Sequence, residues 1–318
     1  MQELNTEFWR NKRVVALSGG IGGARLVHGL YQLLPGENLD VIINTGDDFE
    51  HLAVFVSPDC DTVMYTLAEL SPADRGWGVV NDSDQAMRMV QSLGEPTWFN
   101  LGDRDLGTNL LRTDRLRRGH TLTSITRDFA RSLGVRCQLL PMADSPHPTR
   151  VHTQDGRNLS FQQWLVGERG APTPKHIELQ GDHKPTPQVL DAIDRADLIV
   201  IPPSNPWVSV EPILALDGVR ERVARKPVVG VSPIIRGAAV KGPLAAMIPA
   251  LMNTDAAASA VAERYSDLLS IWVVAHGDRD TGSPTSFETI ERDILMGDLD
   301  GRRRLAAEVL AASERLLR

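Results

Sequence analysis

The sequence has few cysteines and no excess of basic residues, and these two shortages exclude several classes of protein. Cys60 and Cys137 are the only cysteines among 318 residues, too few for a disulfide framework or a cysteine-rich zinc site. The net charge of −7 disfavours a nucleic-acid-binding protein, which normally carries a basic face. A reduced cytoplasm is the simplest setting for such a chain.

Long apolar runs are missing as well. The first residues, MQELNTEFWRNKRVV, carry charge where a secretory signal needs an apolar stretch. No run of 18 uncharged apolar residues follows, so we expect no membrane span. The composition is that of an ordinary globular protein, with 42% apolar and 24% charged residues, and the length allows one large domain or two lobes.

The first 45 residues predict a βαβ unit. RVVALS is a short, β-branched strand, ARLVHGLYQLL has apolar residues at helical spacing, and LDVIINT is a second apolar strand. Apolar strands return within 196–206 and 226–233, and again at 268–275. This order predicts an α/β fold with a Rossmann-like, mostly parallel sheet.

Between about residues 60 and 180 the pattern changes from strands to helices. Helical patterns cover 61–70, 83–92, 105–118 and 121–133. VHTQDGRNLSF predicts a hairpin around Asp155-Gly156. We interpret 1–60 and 181–318 as a nucleotide-binding core, and 61–180 as a mainly helical insertion that forms one side of a cleft.

Four glycines follow the first strand: Gly19, Gly20, Gly22 and Gly23. Their spacing is not the dinucleotide fingerprint, because Arg25 stands where the third glycine belongs, and no Lys-Ser/Thr pair makes a P-loop. The second strand also ends without a lone ribose-binding acid, so a dinucleotide-dependent oxidoreductase does not fit. A glycine turn at a helix start still favours an anion, with Arg25 as an added charge. The alternative is a tight turn without a ligand.

Four aspartates form two clusters in NTGDDFEHL and SPDCDTVMYTL. They are Asp47, Asp48, Asp59 and Asp61. Both clusters lie at the level of strand ends, where open α/β sheets bind ligands. Carboxylates packed together repel one another unless a cation neutralises them, and oxygen ligands suit magnesium or manganese better than zinc. The set therefore predicts a magnesium site, with a turn or a helix cap as the alternative for each residue.

Two further loops carry polar residues. WFNLGDRDL places Asp103, Arg104 and Asp105 before a helix, either as caps with a salt bridge or as a polar wall of the site. PPSNP offers Ser204 and Asn205 at the end of a strand. The Asn205 amide has both donor and acceptor atoms, as recognition of a base or ribose requires.

Eight segments together resemble the 2-phospho-L-lactate transferase family, which builds the deazaflavin coenzyme F420. They are ALSGGIGGARLVHGL, NTGDDFEHL, SPDCDTVMYTLAEL, RGWG, WFNLGDRDL, LRRGHTLTSIT, PSNPWVSVEPIL and VSPIIRGAAVKGP. They follow in order from residue 16 to residue 243. A single glycine loop would be a weak signal, but eight ordered segments are a specific one.

The resemblance implies a magnesium-dependent transferase of substituted phosphate groups that is a cytoplasmic homodimer. The donor would be a guanosine-diphosphate-linked hydroxy acid, which carries 2-phospholactate, phosphoenolpyruvate or 3-phosphoglycerate. The acceptor would be 7,8-didemethyl-8-hydroxy-5-deazariboflavin (Fo), bound on the side formed by the insertion. The terminal ribityl hydroxyl of Fo would attack the phosphorus that bears the acid, giving F420-0 or its analogue and GMP.

The resemblance also implies a role for each candidate residue. The phosphates would be lined by Gly20, Gly22, Gly23 and Arg25. The nucleotide would contact Ser204 and Asn205, the diphosphate Lys241, and the flat deazaflavin Trp77, for which a core position is the alternative. Magnesium would be held by Asp47, Asp48, Asp59 and Asp61, and the catalytic residues would be Asp48, Asp61 and Lys241.

The alternative function is a non-catalytic nucleotide-sugar-binding regulator of the gluconeogenesis-factor type, whose glycine loop is similar. NTGDDFEHL followed by SPDCDTVMY, together with LGDRDL, is not expected in such a regulator and favours the transferase. The apolar segment LLSIWVV is one possible surface for the homodimer.

Overall fold

A seven-stranded parallel sheet organises the chain, in a computed structural model that describes residues 4–240, 242–280 and 286–318. The strands within these ranges are β1 Val14–Ser18, β2 Leu39–Ile43, β3 Phe49–His51, β4 Val54–Val56, β5 Gln138–Pro141, β6 Thr149–Thr153, β7 Asn158–Ser160, β8 Pro174–Leu179, β9 Leu198–Ile201, β10 Val228–Val231, β11 Ile234–Ile235, β12 Ala238–Ala239, β13 Ile271–Ala275 and β14 Glu288–Arg292.

Along the chain, most helices come between two strands of this sheet. The α-helices within the same ranges are α1 Thr6–Trp9, α2 Gly20–Leu33, α3 Pro58–Leu67, α4 Gln85–Ser92, α5 Asp103–Arg117, α6 Leu122–Ser132, α7 Pro187–Arg195, α8 Glu211–Leu214, α9 Val219–Val223, α10 Leu244–Met252, α11 Ala258–Glu263 and α12 Leu299–Ser313. Short π-helical turns span Gln163–Gly167 and Pro206–Val210. No helix in the described part of the chain is long and apolar enough to cross a membrane.

The strand order of the large sheet is β14-β13-β10-β9-β1-β2-β5, and all neighbours are parallel. The chain starts at β1, continues to β2 and β5 on one side, and then adds β9 to β14 on the other. The order therefore reverses between β1 and β9, which is the position where such sheets bind ligands. The predicted Rossmann-like sheet is confirmed.

Both faces of the sheet are buried, which explains why its central strands are continuously apolar. Along β1, Val14 and Ala16 pack into a core with α2, α3 and α12, whereas Val15 and Leu17 pack into the core on the opposite face. At Gly29 the backbone of α2 lies so near that of α12 that a Cβ would come within 2.1 Å of the Arg302 carbonyl oxygen. Any side chain at Gly29 would therefore push α12 away from α2.

The predicted limits of the insertion need correction. β5 belongs to the large sheet and pairs with β2, with Leu140 opposite Ile42. The segment 61–180 also contains a three-stranded antiparallel sheet of order β7-β6-β8, whose first hairpin turns at Asp155-Gly156 as predicted. The insertion is thus interrupted by one strand of the core, and it is not mainly helical throughout.

The segment proposed as a dimer surface lies inside the protein. Ile271–Ala275 forms β13, which is buried between β10 and β14. Its apolar residues face the two cores on either side of the sheet. The suggestion that LLSIWVV forms a homodimer surface is therefore wrong. Strand β14 escaped prediction because its sequence, ETIER, is mostly polar, as an edge position allows.

Candidate functional site

A cavity of about 480 Å³ opens at the carboxyl ends of the central strands, where the strand order reverses. Most of the residues predicted from the sequence line it: Gly20, Gly22, Arg25, Asp47, Asp59, Asp61, Trp77, Ser204 and Asn205. Gly23 and Asp48 do not line it. Lys241 lies outside the described residues.

The glycine turn forms one side of the cavity and packs tightly against the loop after β9. A Cβ at Gly22 would lie 2.1 Å from the Pro203 carbonyl oxygen, and one at Gly23 would lie 2.6 Å from the Ser18 hydroxyl. Gly23 is therefore needed for packing, and its predicted phosphate contact stays a prediction. The first amides of a helix lack partners within the helix, so the start of α2 favours an anion, and the Gly20 amide there donates to the Asp59 carboxylate.

Asp47 and Asp59 are brought together by the buried amide of Asn44, which follows β2. Asn44 Nδ2 donates to Asp47 Oδ1 and to Asp59 Oδ2, both at 2.8 Å. Gln162 Nε2 donates to Asp47 Oδ2 at 3.2 Å, and the Gly20 amide to Asp59 Oδ1 at 2.7 Å. The two acids are thus fixed side by side beneath the glycine turn.

The negative charges of Asp47 and Asp59 are costly in this buried position, and a bound cation would neutralise them. Burial and the neighbouring Asp59 raise the pKa of Asp47 well above its ordinary value, and burial raises the pKa of Asp59 to about 6. Among the described residues no set of three or more His, Cys, Asp or Glu side chains is arranged to hold a metal. Two carboxylates nevertheless fit Mg²⁺, which typically takes one or two from the protein and the rest from phosphate and water.

The other two predicted metal ligands have different partners. The guanidinium group of Arg112, only 1% exposed, binds both carboxylate oxygens of Asp61, with one N–O distance of 3.1 Å. Burial opposes this charge, but the ion pair with Asp61 raises the pKa of Arg112. Asp48 accepts a hydrogen bond from the Ser57 hydroxyl at 2.7 Å. The structure therefore does not assemble the four aspartates into one metal site.

The LGDRDL segment was predicted to supply either helix caps or a polar wall of the site, and it does both through different residues. Asp103 is a cap for α4, because its carboxylate accepts from the Ser83 hydroxyl at 2.6 Å and from the Ala86 amide at 2.9 Å. Asp105 is part of the cavity wall and accepts from the Tyr65 hydroxyl at 2.9 Å. One turn of α5 thus supplies a structural acid and an acid that faces the site.

Aromatic rings form a second group of residues that line the cavity. Trp77 lines it and is 47% exposed, so its alternative position in the core is wrong. The Arg75 guanidinium lies 5.2 Å from the centre of its ring. Trp98 and Phe99 also line the cavity, with ring centres 5.7 Å apart and planes inclined by 66°. Such a wall suits a flat, apolar ring system.

Ser204 and Asn205 line the cavity, but their side chains are engaged in holding the loop. The Ser204 hydroxyl donates to the Gly19 carbonyl oxygen at 2.9 Å. Asn205 Oδ1 accepts from the Trp207 amide at 3.0 Å, and its Nδ2 lies 3.2 Å from the Met247 sulfur. These contacts fix the loop shape against which a ligand would lie.

Sequence analysis missed several residues that shape the site. They are Asn44, Tyr65, Trp98, Phe99, Arg112 and Gln162. Asn44 carried a signal, because it is a polar residue directly after an apolar strand. Arg112 and Gln162 carried none, since their partners Asp61 and Asp47 are 51 and 115 residues away.

Comparison with known sequences gives a consistent result. The sequence profile described as 2-phospho-L-lactate transferase CofD matches residues 14–313. The 2-phospho-L-lactate transferase of Methanosarcina mazei is 35% identical over 306 residues, covering 94% of this chain and all of that protein. The phosphoenolpyruvate transferase of Streptomyces griseus is 39% identical over 319 residues, covering 95% and 98%. That of Thermobifida fusca is 42% identical over 284 residues, covering 85% and 88%.

Among solved structures, a member of the UPF0052 family from Bacillus halodurans resembles this chain. Its TM-score is 0.63 and its sequence identity 18%, with 94% of this chain and 98% of that chain covered. At this identity the likeness shows the fold alone.

Proposed function

The chain belongs to the 2-phospho-L-lactate transferase family, and we propose that its cavity transfers a phospho-hydroxy-acid group from a guanosine-diphosphate-linked donor to Fo. It is a transferase of the phospholactate and phosphoenolpyruvate type in the biosynthesis of coenzyme F420. The observation that carries the finer proposal is that one cavity is lined by two chemically different sets of residues. We call them the turn side (Gly20, Gly22, Arg25, Asp47 and Asp59) and the aromatic side (Tyr65, Trp77, Trp98, Phe99 and Asp105).

The turn side suits the diphosphate of the donor. Amides at the start of α2 and the Arg25 guanidinium favour negative charge there. Asp47 and Asp59 would hold Mg²⁺, because Asn44 fixes them as neighbours and burial makes their unneutralised charges costly. When bound, Mg²⁺ would neutralise charge on the diphosphate. Lys241, outside the described residues, stays a proposed phosphate contact.

The aromatic side suits the acceptor. Trp77, Trp98 and Phe99 offer ring faces and edges to a planar deazaflavin, whose ribityl chain would then extend toward the turn side. The new bond joins the terminal ribityl oxygen to phosphorus, and the bond from that phosphorus to the GMP oxygen breaks. Such a transfer needs positioning and charge neutralisation more than covalent chemistry by the protein.

The test is a product assay with purified protein, Mg²⁺, Fo and, separately, the phospholactyl, phosphoenolpyruvyl and phosphoglyceryl donors. We expect F420-0 or an analogue and an equal amount of GMP from at least one donor, measured by mass spectrometry. The assay also decides which acid the donor carries. Failure of all three donors, with calorimetric binding of a UDP-sugar, would support the regulator instead. Cytoplasmic location and the homodimer stay predictions.

A further inference from the structure

The carboxylates on the cavity wall differ in how many of their oxygens are occupied. The aspartates that line the cavity are Asp47, Asp59, Asp61 and Asp105. The first three accept hydrogen bonds at both carboxylate oxygens. Asp105 accepts at Oδ1 only, and within the described ranges its Oδ2 has no donor. Because Asp105 is partly exposed at the wall, this oxygen is open to a bound ligand.

Asp105 is held in a fixed orientation, as a group that meets a substrate must be. The hydroxyl of the buried Tyr65 donates to Oδ1 at 2.9 Å, and Asn109 Nδ2 lies 3.5 Å from the same atom. The Asp105 amide donates to the Asp82 carboxylate at 3.1 Å, which fixes the start of α5. The side chain is thereby tethered through one oxygen while the other remains available.

The groups around Asp105 shift its pKa toward the range that suits a general base. The charged and titratable groups around it are Tyr65 and Asp61 on α3, Arg112 on α5 and Asp82 before α4. Burial, and then the nearby Asp61, raise the pKa of Asp105 to about 7. A group that gains and loses a proton near the working pH is best suited to accept one during a reaction.

We infer that Asp105 accepts the proton of the attacking hydroxyl through Oδ2. This inference rests on the proposed function. As the ribityl oxygen forms its bond to phosphorus, its proton passes to Asp105, and the electron pair of the broken P–O bond leaves with GMP. Asp61 does not compete for the proton, because Arg112 occupies both of its oxygens. Asp105 is thus a catalytic residue distinct from the proposed metal ligands.

The test compares Asp105→Asn with Asp103→Asn, an equal change of charge one half-turn away that does not face the cavity. We expect kcat of Asp105→Asn to fall by about 100-fold to 10,000-fold, with the KM for Fo changed little. The wild-type rate should fall as pH drops below about 7, because protonated Asp105 cannot act as a base. Asp105→Asn should lose this acidic decline, and Asp103→Asn should keep both turnover and the decline.

Tyr65→Phe gives a second measurement if Asp105→Asn folds poorly. The Tyr65 hydrogen bond lowers the pKa of Asp105, so its loss should move the acidic decline to higher pH. The inference is overturned if Asp105→Asn retains wild-type turnover, or is slow but keeps the wild-type pH profile. It is also overturned if the profile of Tyr65→Phe does not move. A wild-type protein that makes no product from any donor would instead overturn the proposed function, and this inference with it.

Discussion

The two sides of the cavity are built in different ways. The turn side combines residues that follow β1 and β2 with Asp59 on α3, so the parallel sheet brings most of it together and the Asn44 amide joins Asp59 to it. The aromatic side is made by α3, α5 and the loops around α4, and its polar groups are fixed by long-range contacts such as Arg112 with Asp61. Backbone topology contributes most to the first side, although Asn44 and Gln162 fix its two aspartates, and buried side-chain partners contribute most to the second. The two should therefore fail differently when they are mutated.

The largest effect is expected from Arg112→Leu on the aromatic side. The change leaves Asp61 buried without its partner, and breaking such a pair costs about 3–5 kcal/mol of folding free energy. Denaturant unfolding should show this loss. The matched control is Arg118→Leu directly after α5, where the exposed pair with Asp114 should contribute at most about 1 kcal/mol. Equal stability of the two variants would mean that Arg112 does not anchor this side.

Predictability from the sequence depends on whether a local pattern places the residue. Gly20, Asp47 and Ser204 could be placed because each lies just after an apolar strand, and parallel strands end at one edge of a sheet. Arg112 and Gln162 could not, because no local pattern indicates that a side chain will meet an aspartate 51 or 115 residues earlier. The glycine turn gives a related lesson: its spacing suggested room for phosphate, whereas Gly22 and Gly23 are first required by contact with Pro203 and Ser18.

On the turn side, Asp59→Asn should affect turnover more than folding. Its new NH₂ group would face the Gly20 amide or the Asn44 amide, both donors, and the site would lose one charge. We expect turnover to fall by about 100-fold or more, the usual effect of losing one electrostatic stabiliser. The Mg²⁺ concentration for half-maximal activity should rise, while EDTA should abolish wild-type activity.

The control for this charge change is Asp114→Asn, which removes an exposed carboxylate far along α5. It should leave both turnover and the Mg²⁺ dependence at wild-type values. If Asp59→Asn keeps near-normal turnover at limiting Mg²⁺, Asp47 and Asp59 serve only the turn, and the proposed metal site is absent.

The smallest effect is expected from Trp77→Ala, and it separates stacking from folding on the aromatic side. Trp77 is 47% exposed, so its removal should lower the melting temperature less than removal of a fully buried tryptophan such as Trp164. If the ring stacks on Fo, binding should weaken by about 1–3 kcal/mol, the range for aromatic stacking on a base. Fluorescence titration with Fo measures this loss, and GDP affinity should not change if the diphosphate binds on the turn side as proposed. Leu93→Ala, an exposed apolar residue that does not line the cavity, is the control. Unaltered Fo affinity in Trp77→Ala would leave Trp98 and Phe99 as the rings that bind the acceptor.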